Sequence, residues 1–219
     1  MSGPASQPFP VVRHLSRLVT PALLRLPVTA NQVTALSLAA GIAACWHAAQ
    51  GTHLGAVTAG VWMVVCYVLD NCDGEVARAK NQCSTFGMHF DTFVDWLVHA
   101  GFFAGLGWGV AAASGKNIWF HLGLVAAAGA TVNYGIGLFF ELRGRASAAG
   151  PPAPEYRQPQ GARDWVLYAF RELTRADFCF IVLGLGAFDA LWLLVPFGAV
   201  GAQVYWITQF IRGARDFHV

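Results

Sequence analysis

Apolar runs of roughly 20 residues, each closed by a few polar or glycine positions, recur along the chain and set its expected elements. They run from about Asn31 to Ala49, Leu54 to Lys80, Phe86 to Ala113, Ile118 to Leu142, Thr174 to Ala187 and beyond, and Leu191 to Ile211. Gly51, the turn Asn81–Thr85, the loop Ser114–Asn117 and Asp189 separate them. The pattern predicts an all-α integral membrane protein with six transmembrane helices, forming one domain over residues 31–219. Residues 1–30 read differently. After a small polar tail, expected to be disordered over residues 1–8, apolar positions from Phe9 to Leu26 alternate with Arg13, His14, Arg17 and Arg25. That alternation predicts an interfacial amphipathic helix with its basic side toward anionic lipid. A mobile Ala/Pro/Gly-rich loop is expected at about 144–163, and a second interfacial helix at Asp164–Glu172.

Composition supports the membrane reading. Of 219 residues, 56% are hydrophobic and 12% charged, and the mean hydropathy is +0.48; soluble domains carry about 25% charged residues. The first twenty residues lack a continuous apolar core, so no cleavable signal is expected. Five cysteines, Cys45, Cys66, Cys72, Cys83 and Cys179, form no C-x-x-C pair and read as reduced packing residues.

Against this apolar background one stretch stands out, DNCDGEVARAKNQCSTFGMHFDTFVD, from Asp70 to Asp95. Asp70 and Asp73 are one helical turn apart, as are Asp91 and Asp95, and the short turn between the two runs brings both pairs to one membrane face. Four carboxylates gathered there require bound cations. An oxygen-only donor set favours hard divalent ions, Mg2+ before Mn2+, and four carboxylates suit two ions. Two such ions about 4 Å apart clamp the attacking and leaving oxygens of a phosphoryl displacement. Gly74 and Ala77 leave room for a bulky anionic group to approach the backbone, and Arg78 adds a cation beside the metals.

The spacing D-x2-D-G-x2-A-R-x8-G-x3-D-x3-D, filled by Asp70, Asp73, Gly74, Ala77, Arg78, Gly87, Asp91 and Asp95, resembles the signature of the CDP-alcohol phosphotransferases. The resemblance implies a CDP-linked donor, an acceptor hydroxyl, release of CMP and a place in phospholipid biosynthesis. Asp70, Asp73 and Asp91 would hold the metals, with Asp95 as general base and a further contact to them. Gly74, Ala77 and Arg78 would shape the nucleotide pocket, and Gly87 would let its helix come near. Many members carry T-P-N-x-x-T where this chain has Thr29, Ala30, Asn31 and Thr34; the proline is absent, and Asn31 and Thr34 are carried over as nucleotide-binding positions. Homodimers are also implied, and no nucleic-acid partner. The donor is expected to be CDP-diacylglycerol, with membrane lipid as partner. LDNCDGEVARAK is similar to the inositol-phosphate-transferring branch, so a soluble donor such as CDP-inositol with an inositol phosphate acceptor is the alternative.

With six spans every Lys and Arg except Lys116 falls on the side of the termini, placing termini and aspartates at the cytoplasmic face of the cell (inner) membrane. Arg143, Arg175 and Arg212 lie at helix ends on that side and are candidates for holding a phosphate on the acceptor, although the same charge bias accounts for them. Gly101, Gly105 and Gly109 form a small-residue stripe, read first as packing within the bundle and second as a dimer contact. A cation or proton-coupled transporter is the competing class, since intramembrane acids mark ion paths.

Overall fold

A computed structural model describes residues 10–142, 161 and 177–215, with only the backbone described at residues 140–142, 209 and 212–215. The tail over residues 1–8, the loop at 144–163 apart from Gly161, the helix at Asp164–Glu172, and Arg143 and Arg175 lie outside the described residues. Seven α-helices are described: α1 (Val11–Arg25), α2 (Ala30–Ala48), α3 (His53–Ala79), α4 (Thr85–Ser114), α5 (Ile118–Leu142), α6 (Phe178–Ala187) and α7 (Leu194–Arg215). A 3-10 turn over Leu191–Leu193 leads into α7, and no strand occurs among the described residues.

Local chemistry fixes the helix starts. Thr29 and Gln32 form a reciprocal capping box at α2, while Thr52 and Ser84 each accept a backbone N–H in the first turns of α3 and α4. Each such cap contributes about 1 kcal/mol. Gly115 ends α4 in the left-handed region at φ +68°, which glycine adopts without a Cβ clash.

The packing order differs from the chain order. Helix α2 lies between α3 and α4; α1 and α6 pack on α3, and α5 joins α4 to α7. Small residues allow these approaches. A Cβ on Gly105 would stand 2.9 Å from the Cys45 carbonyl oxygen, and one on Gly101 3.2 Å from the Cys45 sulfur. The Gly101/Gly105/Gly109 stripe is therefore occupied by α2, inside the bundle. Gly107 meets the Gly123 backbone, and Gly60 the Leu183 backbone, in the same way. Ala40, Ala44 and Met63 pack with Val94, Val98, Phe102 and Leu106, a one-face stripe of α4, in the main core. Val12, Val33, Val68 and Cys72 form a second core beneath α1. Cys66, Cys72 and Cys179 are buried, and all five cysteines are free.

Four helical segments are long and apolar enough to cross a membrane: His53–Ala79, Thr85–Ser114, Ile118–Phe139 and Leu191–Thr208. Two of the six expected spans are not among these four, and the run expected from Thr174 begins outside the described residues. Helix α2 carries Asn31, Gln32, Thr34, Ser37 and His47 among alanines, and α6 has ten described residues. Large apolar side chains including Trp46, Trp62, Trp108 and Phe197 face outward from the bundle, as a lipid-facing surface requires.

Candidate metal and phosphate site

Asp70 and Asp73 stand on α3, and Asp91 on α4 just past its first turn. The turn between these helices is short and sharply bent, with Asn81 at φ 54°. Lys80 fixes it by donating to the carbonyls of Leu26 and Val28, both at 2.8 Å. Helices held this way bring carboxylate oxygens of Asp70, Asp73 and Asp91 within 4.8 Å of one another. Asp95, one turn further along α4, stands outside that trio yet near enough to Asp70 for their charges to interact. Its backbone carbonyl accepts from His99 Nδ1 at 2.7 Å, which leaves His99 Nε2 to accept from the Tyr67 hydroxyl at 2.8 Å.

Helix α2 supports the trio from behind. The Thr34 hydroxyl donates to Asp73 Oδ2 at 2.6 Å, and both residues are buried. Such a bond to a carboxylate stabilises by about 1.5 to 3 kcal/mol and fixes which oxygen faces the site. Asn31 lies against the first turn of α4, where a Cβ on Gly87 would meet its side-chain oxygen at 3.1 Å. Gly87 therefore makes room for Asn31. The Arg78 guanidinium folds over Gly74, with Nη1 3.2 Å from where a Cβ would project. Ala77 is half-buried, and its carbonyl accepts the Gln82 N–H.

In front of the trio opens a polar cavity of about 620 Å3, lined by Asp70, Asn71, Asp73, Gly74, Glu75, Arg78 and Asp91, together with Arg13 and Arg17 of α1. Asn31, Thr34, Ala77, Gly87 and Asp95 are not among its lining residues. Arg212 is on α7, and its side chain lies outside the described residues. The sequence reading sent Arg13 and Arg17 toward lipid. The sequence signal for packing of α1 beside the cavity is the buried stripe Val12, Ser16 and Thr20, two of whose three members carry hydroxyls that need a polar partner. That partner is Glu75, which accepts from Ser16 at 2.8 Å and Thr20 at 2.5 Å.

The model of CDP-alcohol phosphatidyltransferases matches residues 27–149, more than half of the chain and all eight signature positions. The chain belongs to this family. CDP-alcohol phosphatidyltransferases are transferases that use a CDP-linked donor and a hydroxyl acceptor, and the family is generally divalent-metal dependent. Three clustered carboxylates and no sulfur or imidazole donor fit a hard divalent ion. Curated relatives include two described as bifunctional IPC transferase and DIPP synthase. That of Thermococcus kodakarensis is 31% identical over 125 residues, 56% of this chain and 27% of the relative. That of Rubrobacter xylanophilus is 37% identical over 115 residues, 48% of this chain and 26% of the relative. The chain thus spans about a quarter of the length of the curated relatives it matches. A membrane enzyme is in keeping with the four apolar helices.

Proposed function

We propose that this CDP-alcohol phosphotransferase moves a phospho-polyol group from a soluble CDP-linked donor, of the CDP-inositol type, to a hydroxyl of a phosphorylated polyol, releasing CMP. The observation that carries this reading is the meeting of Asp70, Asp73 and Asp91 at the base of a cavity that also holds guanidinium groups. The names of the relatives favour a soluble head-group donor over CDP-diacylglycerol, the donor first expected from the sequence.

Asp70, Asp73 and Asp91 would hold two divalent ions, Mg2+ or Mn2+, with Asp95 adjoining. When bound there, the ions neutralise the diphosphate of the donor and the charge that develops on CMP. The acceptor oxygen attacks the phosphorus that carries the donated alcohol. A new P–O bond forms as the bond from that phosphorus to the oxygen of CMP breaks, and CMP leaves with the electron pair. Asp95 takes the acceptor proton, so its contribution rests on placement. Arg78, folded over Gly74, borders the nucleotide phosphates, and Ala77 keeps that wall low. Thr34 and Asn31 act here from the second row: Thr34 orients Asp73, and Asn31 packs against Gly87 at the start of α4. The working form is a homodimer of six-span protomers in the cell membrane, with α1 at the cytoplasmic surface and the cavity open to the cytoplasm.

The test is CMP release by detergent-purified protein with Mg2+, using CDP-inositol or CDP-diacylglycerol, each with inositol phosphate. The soluble donor should react, chelation should stop it, and Asp91→Asn should lower turnover by at least about 1000-fold, the scale of one lost transition-state contact or more. Release from CDP-diacylglycerol alone would return the lipid donor. No release from either would favour ion transport through the acidic cluster.

A further inference from the structure

Arg13 and Arg17 are four residues apart, on one face of α1, and both are exposed and line the cavity. Asp70, Asp73, Asp91 and Glu75 line it as well, yet among the described residues no ion pair within 4.0 Å joins either arginine to a carboxylate. Glu75 is already committed to Ser16 and Thr20. The two guanidinium groups are thus free to take an external anion.

Their support is rigid. The Asp177 carboxylate, fully buried, accepts the Val11 and Val12 backbone N–H groups at 2.7 and 2.8 Å, closing the N-terminus of α1. Glu75 holds its middle through Ser16 and Thr20, and Lys80 holds the segment that follows it. A wall fastened at both ends and in the middle pays little ordering entropy when it binds.

We propose that Arg13 and Arg17 form the subsite for the phosphate monoester of the acceptor, and so select a phosphorylated polyol over its free form. The inference rests on the phosphoryl-transfer reading above. With the donor's diphosphate assigned to the acidic trio, its ions and Arg78, the arginines of α1 are left for a second anion, that of the acceptor. The family match begins at residue 27, so the diphosphate chemistry common to the family lies within it, and α1 lies ahead of it. A paired guanidinium fork fits the terminal oxygens of a phosphate monoester better than a point charge does.

Direct binding to the detergent-purified protein tests this independently of turnover. With Mg2+ present, calorimetric titration of wild type, Arg13→Gln/Arg17→Gln and Arg13→Lys/Arg17→Lys with inositol phosphate, inositol and CDP separates the possibilities. Wild type should bind inositol phosphate at least tenfold more tightly than inositol. The Gln pair should lose that preference, the Lys pair should keep part of it, and CDP affinity should stay within about twofold in both, which also reports intact folding. The inference is overturned if the Gln pair keeps the preference, if wild type has none, or if CDP and inositol phosphate weaken together, which would assign the arginines to the donor. Failure of the transfer reading would look different: no CMP release by wild type, with the binding pattern unchanged.

Discussion

Thr34 on α2 donates its hydroxyl hydrogen to Asp73 on α3 across 2.6 Å, and neither residue is open to solvent. The bond determines which carboxylate oxygen of Asp73 turns toward the acidic trio. Thr34→Val keeps the shape and removes the donor. Loss of such an outer partner typically costs 10- to 100-fold in metal affinity, so the Mg2+ concentration for half-maximal CMP release should rise by about that factor. Thr34→Ser should recover most of it. An unchanged Mg2+ dependence in the valine variant would remove Thr34 from the site.

Gly74→Ala separates stability from function. The new methyl would press on the Arg78 guanidinium at 3.2 Å, a flexible group that moves aside at small cost. Alanine also suits a helix interior better than glycine by about 1 kcal/mol. Thermal stability should hold or rise while CDP affinity falls several-fold. If CDP affinity is unaffected, Arg78 does not border the nucleotide.

Asp177→Ala should free the start of α1. Two backbone donors lose their charged acceptor, a loss of about 1 to 3 kcal/mol. Hydrogen exchange over residues 11–20 should quicken relative to α4, and Asp177→Asn, which keeps one acceptor oxygen, should fall between. Equal protection in all three proteins would mean that α1 is held by its apolar contacts alone.

Two glycine replacements should diverge. Gly105→Ala places a methyl 2.9 Å from the Cys45 carbonyl and should destabilise by about 1 to 3 kcal/mol as α2 and α4 are forced apart. Gly135→Ala meets nothing within 4 Å and should be neutral or slightly stabilising. Melting curves in one detergent check both, and similar shifts would contradict the assignment of the stripe to α2.

Much of this was legible in the sequence, and the particulars show why. Ile118–Leu142 matches its apolar run end for end, and α3 and α4 begin and stop within a residue of theirs, because Gly51, the turn Asn81–Thr85 and the loop Ser114–Asn117 interrupt the apolar runs sharply. Asp70, Asp73 and Asp91 could be placed together because a short turn leaves the two helices no freedom in depth. Thr34 was carried over as a nucleotide contact and is found against Asp73. Its position depends on α2 entering between α3 and α4, a packing order that no local pattern encodes. Arg13 and Arg17, expected from the sequence at anionic lipid, line the cavity, a place the sequence does not single out because basic residues alternating with apolar ones describe a helix at a membrane and a helix along a cavity equally well. Helix α2 stands outside the four long apolar segments because of its polar residues, of which Thr34 and Ser37 are buried in the bundle while Gln32 stays exposed in the capping box.

The grip of Asp177 on Val11 and Val12 joins positions 165 and more residues apart. During synthesis the aspartates of α3 and α4 emerge and can assemble long before residue 177 is made. Until then the first amides of α1 have no acceptor to close on, so the arginine-bearing side of the cavity is completed last. A nascent chain would therefore gain its acidic centre first, and its anion-selecting rim only when the final third of the polypeptide has docked.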